Sequence, residues 1–332
     1  MRIPENHIRK DLNDILSEKL QNFYGQYENF NELPIKEEKF IAENIELEKG
    51  IAKNSALLDN IFSLFVTINT KVPIFIVGKP GCSKSLSVQL INKAMKGTTS
   101  DNLLFINLPR IIMTCYQGSM GSTSQGVKRV FKKARKVLKN FQQSKEKQES
   151  NKEEKNEIKD ENKKEEKIIS MIFFDEMGLA EHSPNNPLKV IHSELEYDLN
   201  EGDKKVAFVG ISNWALDASK MNRGLYLSIP EPDKGDAQHT SYTIGESYDY
   251  ELASNYKTIY DNIGEIYVDY KAYLKIQFDN GFEEFHGNRD FYHFVKNVAN
   301  NIVKENKKDL NQNKKNAFIS GGTFLSTNSK LF

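Results

Sequence analysis

The 332-residue sequence predicts an α/β protein built on a parallel sheet. Short, almost wholly apolar, β-branched runs alternate with helical patterns: Val72–Val77, Leu103–Leu108 (with an extension through Ile111, Ile112 and Met113), Ile168–Phe174, Val206–Ile211 and Leu225–Ile229. Strands buried on both faces lack polar alternation, so continuous apolar runs between helices imply parallel strands covered by helices. The first run also leads directly into a turn of small residues that opens a helix, Gly78-Lys79-Pro80-Gly81-Cys82-Ser83-Lys84-Ser85-Leu86.

Taken in order, the first seventy residues read as helical. Ile51, Leu57, Leu58, Ile61, Phe62, Phe65 and Val66 recur at three-to-four spacing and form one apolar face before the first strand. A helical extension over 1–50 and a core over 51–232 are expected. The loop after the first strand has the make-up of a phosphate-binding loop. Gly78 and Gly81 permit backbone geometries closed to other residues, so successive N–H groups can turn toward phosphate oxygens. The helix that follows adds its N-terminal partial charge. Lys84 would reach the β- and γ-phosphates, and the Ser85 hydroxyl would ligate magnesium. The last glycine of the usual pattern is Ser83, whose Cβ crowds the closest backbone approach to phosphate. Cys82 reads as a small spacer.

The next helix carries Leu86, Leu90, Ile91, Ala94 and Met95 on one face and stops at Gly97. A later one places Val127, Val130, Phe131, Ala134, Val137, Leu138 and Phe141 at helical spacing, behind Ser122-Thr123-Ser124 as N-cap material. Its opposite face holds Lys128, Arg129, Lys132, Lys133, Arg135 and Lys136. No aromatic residues interleave with these cations to offer stacking platforms, so a solvated face is the reading and no nucleic acid is expected. From Lys139 to Lys167 the composition turns to Lys, Glu, Asn and Gln, with nine charges of each sign. Lys155, Lys159, Lys163 and Lys167 fall at i,i+4 spacing, as do Glu149, Glu153, Glu157, Glu161 and Glu165, which opposes an isolated helix. The segment 139–167 is therefore expected to be a disordered charged insertion.

Ile172-Phe173-Phe174-Asp175-Glu176 ends a buried strand in two carboxylates. In register with Lys84, Asp175 would hold magnesium through water, and Glu176 would orient and deprotonate an attacking water. A kinase of this class needs no such glutamate, so the pair favours hydrolysis. Gly210-Ile211-Ser212-Asn213-Trp214 puts an amide at the end of the fourth strand, on the sheet edge where ligands bind. Asn213 has two readings there: a partner of the lytic water or γ-phosphate, or a turn residue. Arg223 precedes the fifth strand and Arg289 opens a C-terminal helix. Each fits a charge for the transition state, in cis or across an interface, and each fits a surface ion pair equally well. After Pro230-Glu231-Pro232 the strand pattern ends. A helical subdomain over 233–310 follows, then a tail over 311–332 without a clear element.

Forty-six basic residues balance forty-six acidic ones, so net charge points to neither nucleic acid nor membrane. Two cysteines, Cys82 and Cys115, exclude a disulfide framework, a zinc cluster and a RING module within these residues. No apolar run approaches the twenty or so residues of a membrane span, and the N-terminus lacks a signal-peptide core. A cytoplasmic protein is the expectation.

Four stretches together resemble one specific family. They are the loop Gly78–Leu86, Phe174-Asp175-Glu176-Met177-Gly178-Leu179-Ala180-Glu181, Gly210-Ile211-Ser212-Asn213-Trp214-Ala215-Leu216-Asp217 and Lys220-Met221-Asn222-Arg223-Gly224. They look like an AAA module of the mysterin-type giant AAA+ ATPases and RING-type ubiquitin ligases, a likeness running from about Ile51 to about Lys304. That family's pattern also places serine where Ser83 stands. The resemblance implies a P-loop NTPase of AAA+ type, with a five-stranded sheet in the order 5-1-4-3-2, helices on both faces and a helical lid. It implies ATP and Mg2+ as ligands, Asn213 as sensor 1, Arg223 as arginine finger and Arg289 as the lid arginine of sensor 2. Neighbouring AAA modules, in cis or in trans, would be the partners. Ubiquitin transfer belongs to the family and to no residue present here. The expected activity is ATP hydrolysis coupled to conformational change; the alternative is an ATP-binding structural module with little turnover, a fragment of a larger protein.

Overall fold

The computed structural model describes residues 32–154, 166–199, 205–217, 221–277 and 286–327. They group into two compact units. The first holds the described residues up to Leu47 together with Ser55–Glu231; the second holds Glu48–Asn54 and the residues from Pro232 onward. The core and the C-terminal unit divide at Glu231/Pro232, beside the expected 232/233, and the short segment Glu48–Asn54 is grouped with the C-terminal unit.

The first unit runs α1 (Glu32–Glu43), α2 (Ser55–Thr70), β1 (Ile74–Val77), α3 (Lys84–Ala94), α4 (Leu103–Ile106), β2 (Arg110–Gln117), α5 (Ser124–Glu154), β3 (Ile168–Asp175), α6 (Met177–Glu181), α7 (Lys189–Leu199), β4 (Ala207–Ser212) and β5 (Leu225–Ser228). The five strands form one parallel sheet in the order β2-β3-β4-β1-β5, which is 5-1-4-3-2 read from the other edge. This is the AAA+ arrangement. Every residue of β1 and β4 is buried, which is why those runs show no polar alternation. Phe75, Ile172, Phe174 and Phe208 pack with Val127, Phe131, Ala134 and Leu138 of α5 and with Ile191 and Leu195 of α7. Phe131 stacks on Phe208 at 5.8 Å and 10° between ring planes, worth about 0.5–1.5 kcal/mol beyond its buried area. Residues of the opposite parity, Ile74, Ile76, Val209 and Ile211, are equally buried, and α2 lies along β1, β3 and β4.

The end of α2 shows how local chemistry delivers β1. Lys71 adopts a left-handed φ of 55°. Its N–H donates to the Ile68 carbonyl, while Val72 donates to Thr67 at 2.9 Å. This is a Schellman stop, and Pro73 prevents the helix from continuing.

Three expectations are corrected. Leu103–Leu108 is not a strand: Leu103–Ile106 forms the short helix α4, and the strand is Arg110–Gln117. The Asn102 side chain accepts the Leu104 N–H at 2.8 Å and starts that helix, while Pro109 separates it from β2. The charged segment from Lys139 to Glu154 is helical, a continuation of α5; residues 155–165 of the expected insertion lie outside the described ones. Packing of Val127, Phe131, Ala134 and Leu138 nucleates the helix, and adding Lys, Glu and Gln turns to an existing helix costs little. Lys145 lies over the Phe141 ring, 5.4 Å from its centroid, one turn away. The C-terminal stretch expected to lack an element is helical through Thr327 by the same propagation.

The second unit comprises α8 (Lys234–Tyr248), α9 (Tyr250–Asn255), α10 (Lys257–Gln277) and α11 (Asn288–Thr327) around Ala237, Ile244, Ala253, Tyr260, Phe291, Val295 and Ala299. Two glycines allow α8 and α10 to approach. A Cβ on Gly245 would sit 2.5 Å from the Tyr260 ring, and one on Gly264 would sit 2.5 Å from the Gln238 backbone nitrogen. Burial raises the Tyr260 phenol above its ordinary pKa by penalising the phenolate. Lys234 donates to both Glu265 and Asp269, and those bonds raise its pKa.

Candidate active site

β1, β3 and β4 lie side by side, so their C-terminal ends share one edge of the sheet. The loop Gly78–Ser85 leaves β1 at that edge. Gly78 donates its N–H to the Ser212 carbonyl at 3.2 Å, extending the β1–β4 pairing into the loop. A Cβ there would meet Ile229 Cβ at 2.9 Å, so the residue must be small. Gly81 turns with φ 89°, a conformation other residues rarely adopt. Ser83 stands at φ 56° and ψ 15°, also left-handed, and is the cap residue from which α3 starts at Lys84. Its conformation is the one a glycine takes without strain, which is why glycine is usual here.

Lys84 is buried, and its Nζ donates to the carbonyls of Gly78 and of Lys79, the latter at 2.9 Å. The ammonium is therefore held inside the loop. Ser85 and Leu86 follow in the first turn of α3, both half-buried, while Pro80 is exposed on the rim. Cys82 is buried, consistent with a small spacer. The Lys79 side chain points elsewhere, pairing with Glu231 at 2.6 Å.

Asp175 closes β3, and one of its oxygens accepts the Glu176 N–H at 2.8 Å. Glu176 is itself left-handed, φ 52° and ψ 44°, at the junction with α6. Strain of this kind persists only where the surroundings over-determine it. Here Gly118, just past β2, donates its N–H to the Asp175 carbonyl at 2.8 Å, and its Cα lies against the Glu176 carbonyl. The Glu176 carboxylate accepts from Asn213 Nδ2 at 2.9 Å. Asn213 follows Ser212, the residue that also receives the loop's Gly78. A chain of direct contacts thus runs from loop through the end of β4 to Glu176. Around it, Trp214 packs on Gly178, where a Cβ would come within 2.5 Å of the indole.

The structure brings together the loop with Lys84 and Ser85, then Asp175, Glu176 and Asn213. It does not bring Arg223 to them. Leu225 pairs with Ile74 at the start of β1, so Arg223 lies at the opposite edge of the sheet, bound to Glu196 at 2.8 Å. Arg289 belongs to the second unit, exposed in the first turn of α11. Sequence reasoning missed three residues that shape the site: Gly118, Glu231 and Asn60, whose amide donates to the Cys82 carbonyl at 3.1 Å. Only Asn60 left a signal, a polar residue on the apolar face set by Leu57, Ile61 and Leu64.

Residues 50–236 match the family model described as the RNF213 AAA domain. The chain belongs to that family. Human E3 ubiquitin-protein ligase RNF213 is 34% identical over 270 residues, 80% of this chain and 5% of the relative. The rnf213-beta ligase of Danio rerio is 35% identical over 268 residues, 79% of this chain and 5% of its own length. The chain thus spans about a twentieth of these RNF213 relatives. Against the solved structure of C. elegans PCH-2 it has 13% identity and a TM-score of 0.37, over 83% of this chain and 69% of that one. An AAA+ module of the RNF213, or mysterin, type accounts for the fold and for the matched stretch. Among the described residues no helix is long and apolar enough to cross a membrane.

Proposed function

We propose that this module binds ATP with Mg2+ and hydrolyses it, coupling nucleotide state to conformational change. The observation that supports the reading is the contact chain Gly78–Ser212, Asn213–Glu176, which links the Glu176 carboxylate to a loop that encloses the Lys84 ammonium. Loop N–H groups and Lys84 would bind the phosphates. The donor set fits a hard cation, a hydroxyl from Ser85 and a carboxylate from Asp175, and these two would hold Mg2+. Bound there, the cation would neutralise charge on the transferring phosphoryl group. Glu176 would accept the proton of the attacking water. Asn213 holds that carboxylate by one oxygen, which fixes its direction and leaves the other oxygen for water.

Arg223 supports a second feature of the reading. At the far edge of the sheet it is out of reach of its own loop, so its charge would serve ATP on a neighbouring AAA module, in cis or in trans. Arg289 would act as the lid arginine. For the same reason the isolated chain turns over slowly, and the alternative of an ATP-binding structural module describes it in the absence of a neighbour. Ubiquitin transfer is the activity named for the relatives and is not proposed for these residues.

The test is ATP turnover and ATP binding by the purified protein beside Glu176→Gln and Lys84→Ala. Glu176→Gln should keep binding and lose at least about a hundredfold in turnover. Lys84→Ala should lose binding. Equal turnover in wild type and Glu176→Gln sinks the assignment of the base, and normal ATP binding by Lys84→Ala sinks the loop.

A further inference from the structure

Asn60 lies mid-way along α2, among buried Leu57, Ile61 and Leu64. Its side chain is wholly buried; Nδ2 donates to the Cys82 carbonyl at 3.1 Å, and Oδ1 meets no hydrogen-bond partner. A half-satisfied amide is an unfavourable choice for an apolar helix face, where a leucine of the same branching would pack without an orphaned acceptor. What leucine lacks is the donor to Cys82.

That donor has a geometric consequence for the loop. A trans peptide is planar, so its C=O and N–H point in opposite directions. Fixing the Cys82 carbonyl toward α2 aims the Ser83 N–H away from α2. The same peptide enters the one loop position where a non-glycine residue is held left-handed, Ser83 at φ 56°. A residue with a Cβ leaves that region unless its neighbours hold it. Asn60 grips the peptide just before it.

We propose that Asn60 is a positioning residue for the phosphate loop: from outside the motif it fixes the Cys82–Ser83 peptide, so that the Ser83 N–H is presented to phosphate oxygens. It makes a serine workable where glycine is usual. The inference rests on the reading of residues 78–85 as the phosphate site and adds a residue that the motif does not contain, since Asn60 stands 22 residues before Cys82 in the chain.

The experiment measures ATP and ADP affinity for the full chain as wild type, Lys84→Ala, Asn60→Leu and Asn60→Ala, with the melting temperature of each nucleotide-free protein. The two Asn60 variants should bind both nucleotides about tenfold more weakly, the loss expected for one displaced loop donor. Asn60→Leu should melt at or above the wild-type temperature, which a purely structural role would not allow. The Ser83 amide resonance should shift on adding ADP to wild type and shift less in Asn60→Leu. Wild-type affinity in either folded Asn60 variant overturns this inference and leaves the loop assignment standing. No binding by wild type, or undiminished binding by Lys84→Ala, overturns both.

Discussion

Gly118 offers the sharpest perturbation of the site without touching a reacting group. A Cβ at that position would lie 2.2 Å from the Glu176 carbonyl oxygen and 3.0 Å from that of Asp175. To reach the ~3.3 Å of the closest ordinary carbon–oxygen contacts, one side must retreat by about 1 Å. The neighbour cannot yield cheaply, because Gly118 is tied to Asp175 by its own N–H and Glu176 is held in a left-handed conformation. The displacement therefore falls on the Glu176 turn and moves its carboxylate off the line set by Asn213. A misplacement of about 1 Å in a catalytic group costs about a hundredfold in rate. Gly118→Ala should lower kcat for ATP by that factor. The loop leaves β1 and rests on Ser212 and Asn60, so ATP affinity should stay close to wild type. Overpacking of about 1–3 kcal/mol should also lower the melting temperature by roughly 2–12 °C. Gly121 is the internal control: it lies in the same connection, yet the nearest atom a Cβ would meet is 3.9 Å away. Gly121→Ala should behave as wild type in steady-state ATPase and melting assays. Wild-type kcat in Gly118→Ala, or an equal loss in Gly121→Ala, refutes the reasoning.

Two further outcomes follow from backbone and burial. Ser83→Gly removes a left-handed side chain worth about 1–2 kcal/mol and adds roughly 0.5–1 kcal/mol of unfolded-chain entropy, so stability should stay level or rise slightly with ATP affinity retained; a β-branched Ser83→Val should lose ATP binding, read by calorimetric titration. Tyr260 has a phenol pKa raised by burial, so the unfolded chain releases that proton first as pH climbs past about 10, and stability is lost there by up to about 1.4 kcal/mol per pH unit until the folded-state pKa is passed. In denaturant melts, wild type should therefore lose stability relative to Tyr260→Phe as pH rises above about 10, and a difference between them that does not change with pH would show that burial does not shift this group.

What was legible in the sequence tracks how local the controlling physics is. The buried strands could be read because β1, β3 and β4 are covered on both faces and carry no polar alternation. Asp175, the last residue of β3, and Asn213, just past the end of β4, inherit their place from strand order alone. At the sheet edge the same logic failed: Leu103–Leu108 is as apolar as a core strand, but Leu103 is 82% exposed and Asn102 turns the segment into a helix. Over Lys139–Glu154 the like-charge spacing argues only against an isolated helix, whereas α5 begins on the sheet and continues through these residues. Gly118 and Glu231 left no trace, since their roles exist only once β3 and the loop stand next to them. The Lys79–Glu231 pair joins a loop residue to the last residue of the first unit.

The sheet separates Arg223 from the residues gathered around the loop. Lys84, Ser85, Asp175, Glu176 and Asn213 gather at the C-terminal edge by the register of three adjacent strands. Arg223 is carried to the other edge by the same register, since β5 runs parallel to β1 and Arg223 precedes its first residue. No side-chain rotation reverses that. Its pair with Glu196 is half-exposed at both ends, 45% and 48%, and exposed ion pairs contribute only about 0–1 kcal/mol. Arg223 is therefore held weakly, on a surface facing away from its own nucleotide loop. Under the proposed reading that charge would serve nucleotide on a neighbouring module, because the register of β5 on β1 keeps it from Lys84 of its own loop.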